Sequence, residues 1–168
     1  MQTNVLPQID MSDIPTGCCP RFQPEGWEGQ DLHFQDKRFL RATTLSAMHI
    51  PLNMGRVFGR VQAAIEQQGA ALDSGYFVMT LESSPWGAEH YFAVARDVEG
   101  EQMISLTGDY MTKVFEGPFR DAGKWHEAML DAAREAGKEP GKVYFFYTTC
   151  PKCAKVYGQN YVVGLVEV

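Results

Sequence analysis

The stretch "GPFRDAGKWHEAMLDAAREAG", residues 117–137, decides the fold. Pro118 stands where a first helical turn would open, and Gly137 where the helix would stop. Between them Phe119, Ala122, Trp125, Met129, Ala133 and Ala136 recur at helical spacing and make one apolar face. The same punctuation occurs earlier. "PLNMGRVFGRVQAAIEQQG" runs from Pro51 to Gly69, with Leu52, Met54, Val57, Phe58, Val61, Ala64 and Ile65 on its apolar side. The flanks also match. Strand-like residues 38–49 precede the first helix, and strands at 75–83 and 89–98 follow it. An extended run over 103–117 precedes the second, with strands at 142–149 and 160–168 after it. Two β-α-β-β units of matched length predict an α/β (α+β) fold, a duplicated antiparallel sheet with two helices on one side.

Residues 1–30 are irregular. Pro7, Pro15, Pro20 and Pro24, with Gly17, Gly26 and Gly29, interrupt any regular element. The expectation is a mobile tail over residues 1–17 and a single domain over 18–168. Its first part is a loop packed through Cys18, Cys19, Phe22 and Trp27.

An apolar fraction of 45% and an aromatic fraction of 12% describe a globular chain. The net charge of −6 argues against a nucleic-acid partner, which needs a basic face. No apolar run approaches the roughly 18 residues of a membrane helix. The N-terminus lacks the basic start and apolar stretch of a signal peptide, so the chain reads as cytoplasmic. In that compartment thiols stay reduced, and four cysteines point to metal or redox chemistry more than to disulfides.

The cysteines form two pairs, "GCCP" with Cys18 and Cys19, and "CPKC" with Cys150 and Cys153. A CxxC loop between two strands has the form of a zinc knuckle, because a tight turn points both sulfurs the same way. Cys18 and Cys19 would complete the ligand set, with His33 as a spare. A redox CPKC is the weaker alternative, since such motifs open a helix in a thioredoxin-like unit. Unreactive thiols remain a third reading.

Glu116 lies at a strand-to-helix junction among aromatics, and Glu82 holds a related place beside Trp86. Glu116 is either a first-turn acid favoured by the helix dipole or a cleft carboxylate able to act as a general base, and with Glu82, a strand-end acid, it would suit acid–base work if the two share a cleft. Trp86, His90, Tyr91, Trp125 and Tyr147 are candidates for ligand contact. His49 and His126 are dispersed. Ser83 and Ser84 lack a GxSxG elbow, and no phosphate-binding glycine loop is present. The strands carry many aromatics, and alternation puts half on each face. A face left open would suit a flat apolar ligand or the second copy in a homodimer.

Val114, Phe115, Glu116, Gly117, Pro118, Phe119 and Trp125, together with the duplicated layout over about 37–168, resemble the GyrI-like small-molecule-binding domains. The CCP, HIPLN and CPKC elements resemble a small bacterial subgroup labelled hydrolase. The resemblance implies a cleft between the repeats that takes a small organic molecule. It also implies hydrolysis of reactive compounds in some relatives, with a Glu and aromatics at the site. The family's last strand carries an acid aimed into the pocket, and "NYVVGLVEV" has none before Glu167. The leading expectation is therefore a stand-alone small-molecule-binding protein with a hydrolase activity centred on Glu116. A non-catalytic sensor or sequestering protein and a thiol redox protein are the alternatives.

Overall fold

The computed structural model describes residues 2–168. Its strands are β1 (Asp31–Ala47), β2 (Ile50–Pro51), β3 (Val78–Ser84), β4 (Gly87–Ala93), β5 (Gln102–Glu116), β6 (Val143–Tyr147) and β7 (Tyr161–Glu167). Its helices are α1 (Met54–Gln67), α2 (Ala122–Glu135) and α3 (Pro151–Tyr157). The two expected units are present as β1-α1-β3-β4 and β5-α2-β6-β7. Within each, the first strand pairs with the last and the last with the middle one.

All pairings between these strands are antiparallel, and the sheet closes on itself. β1 pairs with β5 from Asp31↔Met111 to Arg41↔Gln102, so the first strands of the two units are partners. The other join, β3 to β6, has one registered pair, Thr80↔Phe145. The result is a six-stranded barrel with β2 as an appendage of β1 and with both long helices outside.

Strand alternation separates three cores. Phe39, Met79, Tyr91, Tyr144, Phe146, Val163 and Leu165 fill the barrel interior. Their sequence neighbours Leu40, Val78 and Phe92 face outward beneath Val61 and Ile65 of α1. Val143, Phe145, Val162 and Val166 face outward beneath Trp125, Met129 and Ala133 of α2. Gly164 lies under α2, where a Cβ would come within 2.6 Å of Met129 Sδ. That close approach requires a residue without a side chain.

The helices begin later than their prolines suggest. Pro51 belongs to β2, and Pro118 precedes a single 3₁₀ turn at Phe119–Asp121. Each proline directs the entering chain without joining the α-helix. The expected mobile tail gives way to packed chain, because its apolar residues find the barrel's open end. Leu6 and Ile9 are buried in the interior core. Asn4 N donates to His33 O at 2.8 Å, and Ile9 N to Ser74 O at 3.0 Å. Phe22 and Trp27 follow them inside. Trp27 is 1% exposed, stacks on Phe77 at 5.4 Å and leans on Phe146 at 5.3 Å. The aromatic face expected to lie open is therefore the barrel's filled interior.

Candidate functional site

The four cysteines meet. β6 ends at Tyr147, and two buried threonines lead out of the sheet, with Thr148 Oγ1 donating to Tyr161 O at 2.7 Å. Cys150 then caps α3, and Pro151 opens it with a fixed φ at a position that needs no N–H. Gly158, at φ +75°, ends it in the left-handed conformation. The CPKC motif thus opens a short helix and does not form the expected loop. The proline–glycine pair that marked the long helices was here spaced for two turns.

The Sγ atoms of Cys18, Cys19, Cys150 and Cys153 lie within 4.8 Å of one another and could hold a metal ion. Cys18 Sγ and Cys19 Sγ are 3.7 Å apart. A tetrahedral site with Zn–S bonds of about 2.3 Å has S···S edges of ~3.8 Å, so the spacing fits. Backbone donors already face the sulfurs. Cys150 N donates to Cys19 Sγ at 3.4 Å, and Cys153 N to Cys150 Sγ at 3.5 Å. Thr16 Oγ1, 3.2 Å from Cys153 Sγ, is the main influence drawing that thiol down to about 7, while burial pushes Cys19 upward. Tyr157 of α3 donates to Cys19 O at 2.6 Å, and the Arg21 guanidinium lies 5.4 Å over its ring. The cluster therefore ties the N-terminal segment to α3. His33 stands apart from it, with Nδ1 2.5 Å from Asp109 Oδ1.

The two candidate carboxylates do not meet. Glu116 ends β5 opposite Tyr161, whereas Glu82 lies beyond Thr80↔Phe145, toward the other end of the barrel. Both are exposed. Glu116 sits on a ridge between two shallow grooves. One is bounded by Pro118, Phe119, Pro151 and Lys155, the other by Glu25, Glu28 and Tyr161. Glu82 lies 3.7 Å from His49.

The five residues expected to touch a ligand are not gathered on one surface. Trp86 is in the β3–β4 turn, on the outside of the molecule. His90 is fully buried under α1, 4.8 Å from the Phe58 ring, with Thr44 Oγ1 2.7 Å from Nε2 and Thr80 Oγ1 2.8 Å from Nδ1. Burial lowers its pKa to about 4. Trp125 is core, stacked on Phe115 at 5.6 Å. Tyr147 packs on Phe119 and Phe145. Only Tyr91 faces the barrel interior.

At the mouth opposite the N-terminal segment, Tyr91 has company. The rings of Tyr91 and Tyr110 each meet Tyr144 edge-on at 6.0 Å. Glu167 is the Cα partner of Tyr110 and shares the inward parity of Val163 and Leu165. Burial, and then the Glu167 charge, push Tyr110 up to about 12. Arg41 donates through Nε to Glu89 Oε1 at 3.0 Å, and through a terminal nitrogen to Gln102 Oε1 at 3.1 Å. Arg41, Glu89 and Tyr110 were not singled out from sequence, and Glu167 was noted only as the acid that ends its strand. The signal was available in the alternation of their strands.

Among the described residues no helix is long and apolar enough to cross a membrane. Among curated proteins none matches the chain. The solved structure of SAV2435 bound to tetraphenylphosphonium is similar, with 12% identity over 84% of this chain and 93% of that one and a TM-score of 0.46. The family model described as bacterial hydrolase matches residues 9–168, and the chain belongs to that family.

Proposed function

We propose that this protein binds a small organic molecule at the tyrosine-lined mouth of the barrel, and that its four cysteines hold a structural zinc. The observation that carries the binding reading is the inner wall itself. Tyr91, Tyr110 and Tyr144 pack ring against ring at this end of the interior, where a ligand would have to displace their edges, and the carboxylates of Glu89 and Glu167 stand beside them. Arg41 neutralises Glu89, which leaves Glu167 as the charge available to a ligand. A flat aromatic cation suits that combination. The GyrI-like resemblance implies a small organic ligand and leaves its charge open. Glu167 would be the last-strand acid of that family, at the end of the strand opposite Tyr110.

Four thiolates fill a tetrahedral ion and leave no open position for water, so the metal's role is to hold the N-terminal segment over the far mouth. Reduced thiols of this kind fit a cytoplasmic protein. Hydrolysis, which the family description favours, would then rest on a carboxylate. Glu116 is the candidate general base, acting on an electrophilic aromatic compound in the groove beside α3. A redox role for Cys150 and Cys153 gains from the helix that the pair opens, but Cys18 and Cys19 lie against the same sulfurs.

The test is calorimetric titration with ethidium, together with turnover of p-nitrophenyl acetate. Binding should weaken about 10-fold in Glu167→Gln, a loss near 1.4 kcal/mol. Binding that is absent, or indifferent to Glu167→Gln, overturns the proposed site. Ester turnover lost in Glu116→Gln supports the hydrolase, and binding without turnover supports sequestration.

A further inference from the structure

Five large apolar side chains project from one end of the molecule. Leu45, Met48, Ile50, Leu52 and Trp86 are 63%, 69%, 65%, 65% and 60% exposed. They are neighbours in space. β1 runs past its last β5 pair at Arg41 and continues as an arm against β4 to Leu45↔Gly87. The arm then turns at Met48 and His49 and returns as β2. The β3–β4 turn is fastened to it, with Ser46 N donating to Trp86 O at 2.8 Å and His49 N to Pro85 O at 2.9 Å. Asn53 Oδ1 accepts from Leu45 N at 2.8 Å.

The exposure is held in place by the backbone. Met48 and His49 adopt φ of +50° and +69°, left-handed conformations that residues with side chains take at a cost. The cost persists because hydrogen bonds on both sides of the turn fix it, and the turn leaves Met48 exposed.

We propose that this tip is a self-association surface, occupied by the same tip of a second copy across a two-fold axis. Area supports it. The five side chains leave roughly 600 Å² of apolar surface open, at ~100–150 Å² each, the upper end of what a monomer ordinarily exposes. Two copies face to face bury about 1,200 Å², the lower bound of specific interfaces. Charge supports a like partner. Residues 42–55 and 83–88 contain no Asp, Glu, Lys or Arg. A bilayer surface would favour basic residues at the rim, and the chain as a whole carries −6. The five apolar side chains meet their own image without repulsion, with the Glu82 carboxylate, 3.7 Å from His49, beside the contact. Trp86, the largest of the five, is the anchor.

Sedimentation equilibrium of the full chain tests this over roughly 1–200 µM, the range expected of a small interface. A reversible monomer–dimer equilibrium is expected. Trp86→Glu and, separately, Ile50→Glu should each weaken it by about 30-fold or more, the effect of losing one hot-spot side chain. Both residues are exposed, so unchanged melting temperatures would show that the folds survive. A monomer across the range overturns the proposal. So does a dimer that tolerates both variants. Co-sedimentation with phosphatidylcholine vesicles that both variants abolish, without any dimer, would reassign the tip to a lipid surface.

Discussion

Replacing Trp27 by Ala should unfold this protein at a much lower temperature, even though Trp27 belongs to no α-helix or strand. Its indole is 1% exposed and sits between Phe77, Phe146 and Phe22, at ring separations of 5.4, 5.3 and 6.2 Å. Its carbonyl accepts from Thr112 Oγ1 at 2.5 Å, a main-chain contact that alanine keeps. The substitution therefore removes ring packing and leaves a cavity, at a cost of about 3–5 kcal/mol for a buried Trp. For a domain of this length each kcal/mol moves the melting temperature by roughly 2–4 °C, so a drop of ~6–20 °C is expected. The indole Nε1 is buried without a hydrogen-bond partner, so Trp27→Phe sacrifices volume and no bond, and it should cost clearly less than Trp27→Ala. Thermal melts followed by far-UV circular dichroism measure both, with exposed Trp86→Ala as the control near zero. A Trp27→Ala protein that melts within about 2 °C of the parent would refute the claim that the N-terminal segment is part of the core.

Protein purified without added metal should contain about one zinc per chain by elemental analysis, and Cys153→Ser should lose it. Metal-free protein with an intact fold and dithiol reactivity would count against the site. His90 ionises at about 4 in the fold, against about 6.5 in the unfolded chain, so the unfolded chain takes up its proton first. Stability should fall as pH drops from about 6.5 toward 4, by up to about 3 kcal/mol, and urea titrations should show His90→Asn flattening that decline. Gly164→Ala places a Cβ 2.6 Å from Met129 Sδ and 3.0 Å from Phe115 Cε2, and should destabilise by about 1–3 kcal/mol in the same titrations. An unchanged midpoint would mean that Met129 simply swings away.

Local chemistry explains which features could be read from the chain. The two long helices were visible because Pro, Gly and a 3.6-residue apolar stripe all agree over 14 residues. The short α3 was missed because its seven residues show the terminal signals and no periodicity to support them. The cysteine cluster was foreseeable as chemistry, since only a few arrangements place four thiols in one reduced chain. Barrel closure was not foreseeable. Closure depends on β1 reaching β5, some 70 positions away, and neither strand's sequence names its partner. That closure turned the expected open aromatic face into an interior, and it moved Trp86 and Glu82 away from Glu116. Tyr110, Tyr144 and Glu167 were legible only in parity, and parity has meaning once the inside of a barrel is known.

The interlocking of the two units also bears on how the chain can be cut. Each half contributes three strands, and each leaves two unpaired edges that only the other half can cover. Neither half has a complete core of its own, since the barrel interior draws Phe39 and Met79 from one and Tyr144 and Leu165 from the other. The halves join at Val98–Glu101, a tight turn with Gly100 at φ +83° on the surface. A protease entering there would sever the covalent link and leave every strand pairing intact. The nicked protein should stay whole in native buffer and separate only in denaturant. Residues 1–100 and 101–168, each unstructured alone, should then reconstitute the barrel by fragment complementation, at a rate set by their concentration.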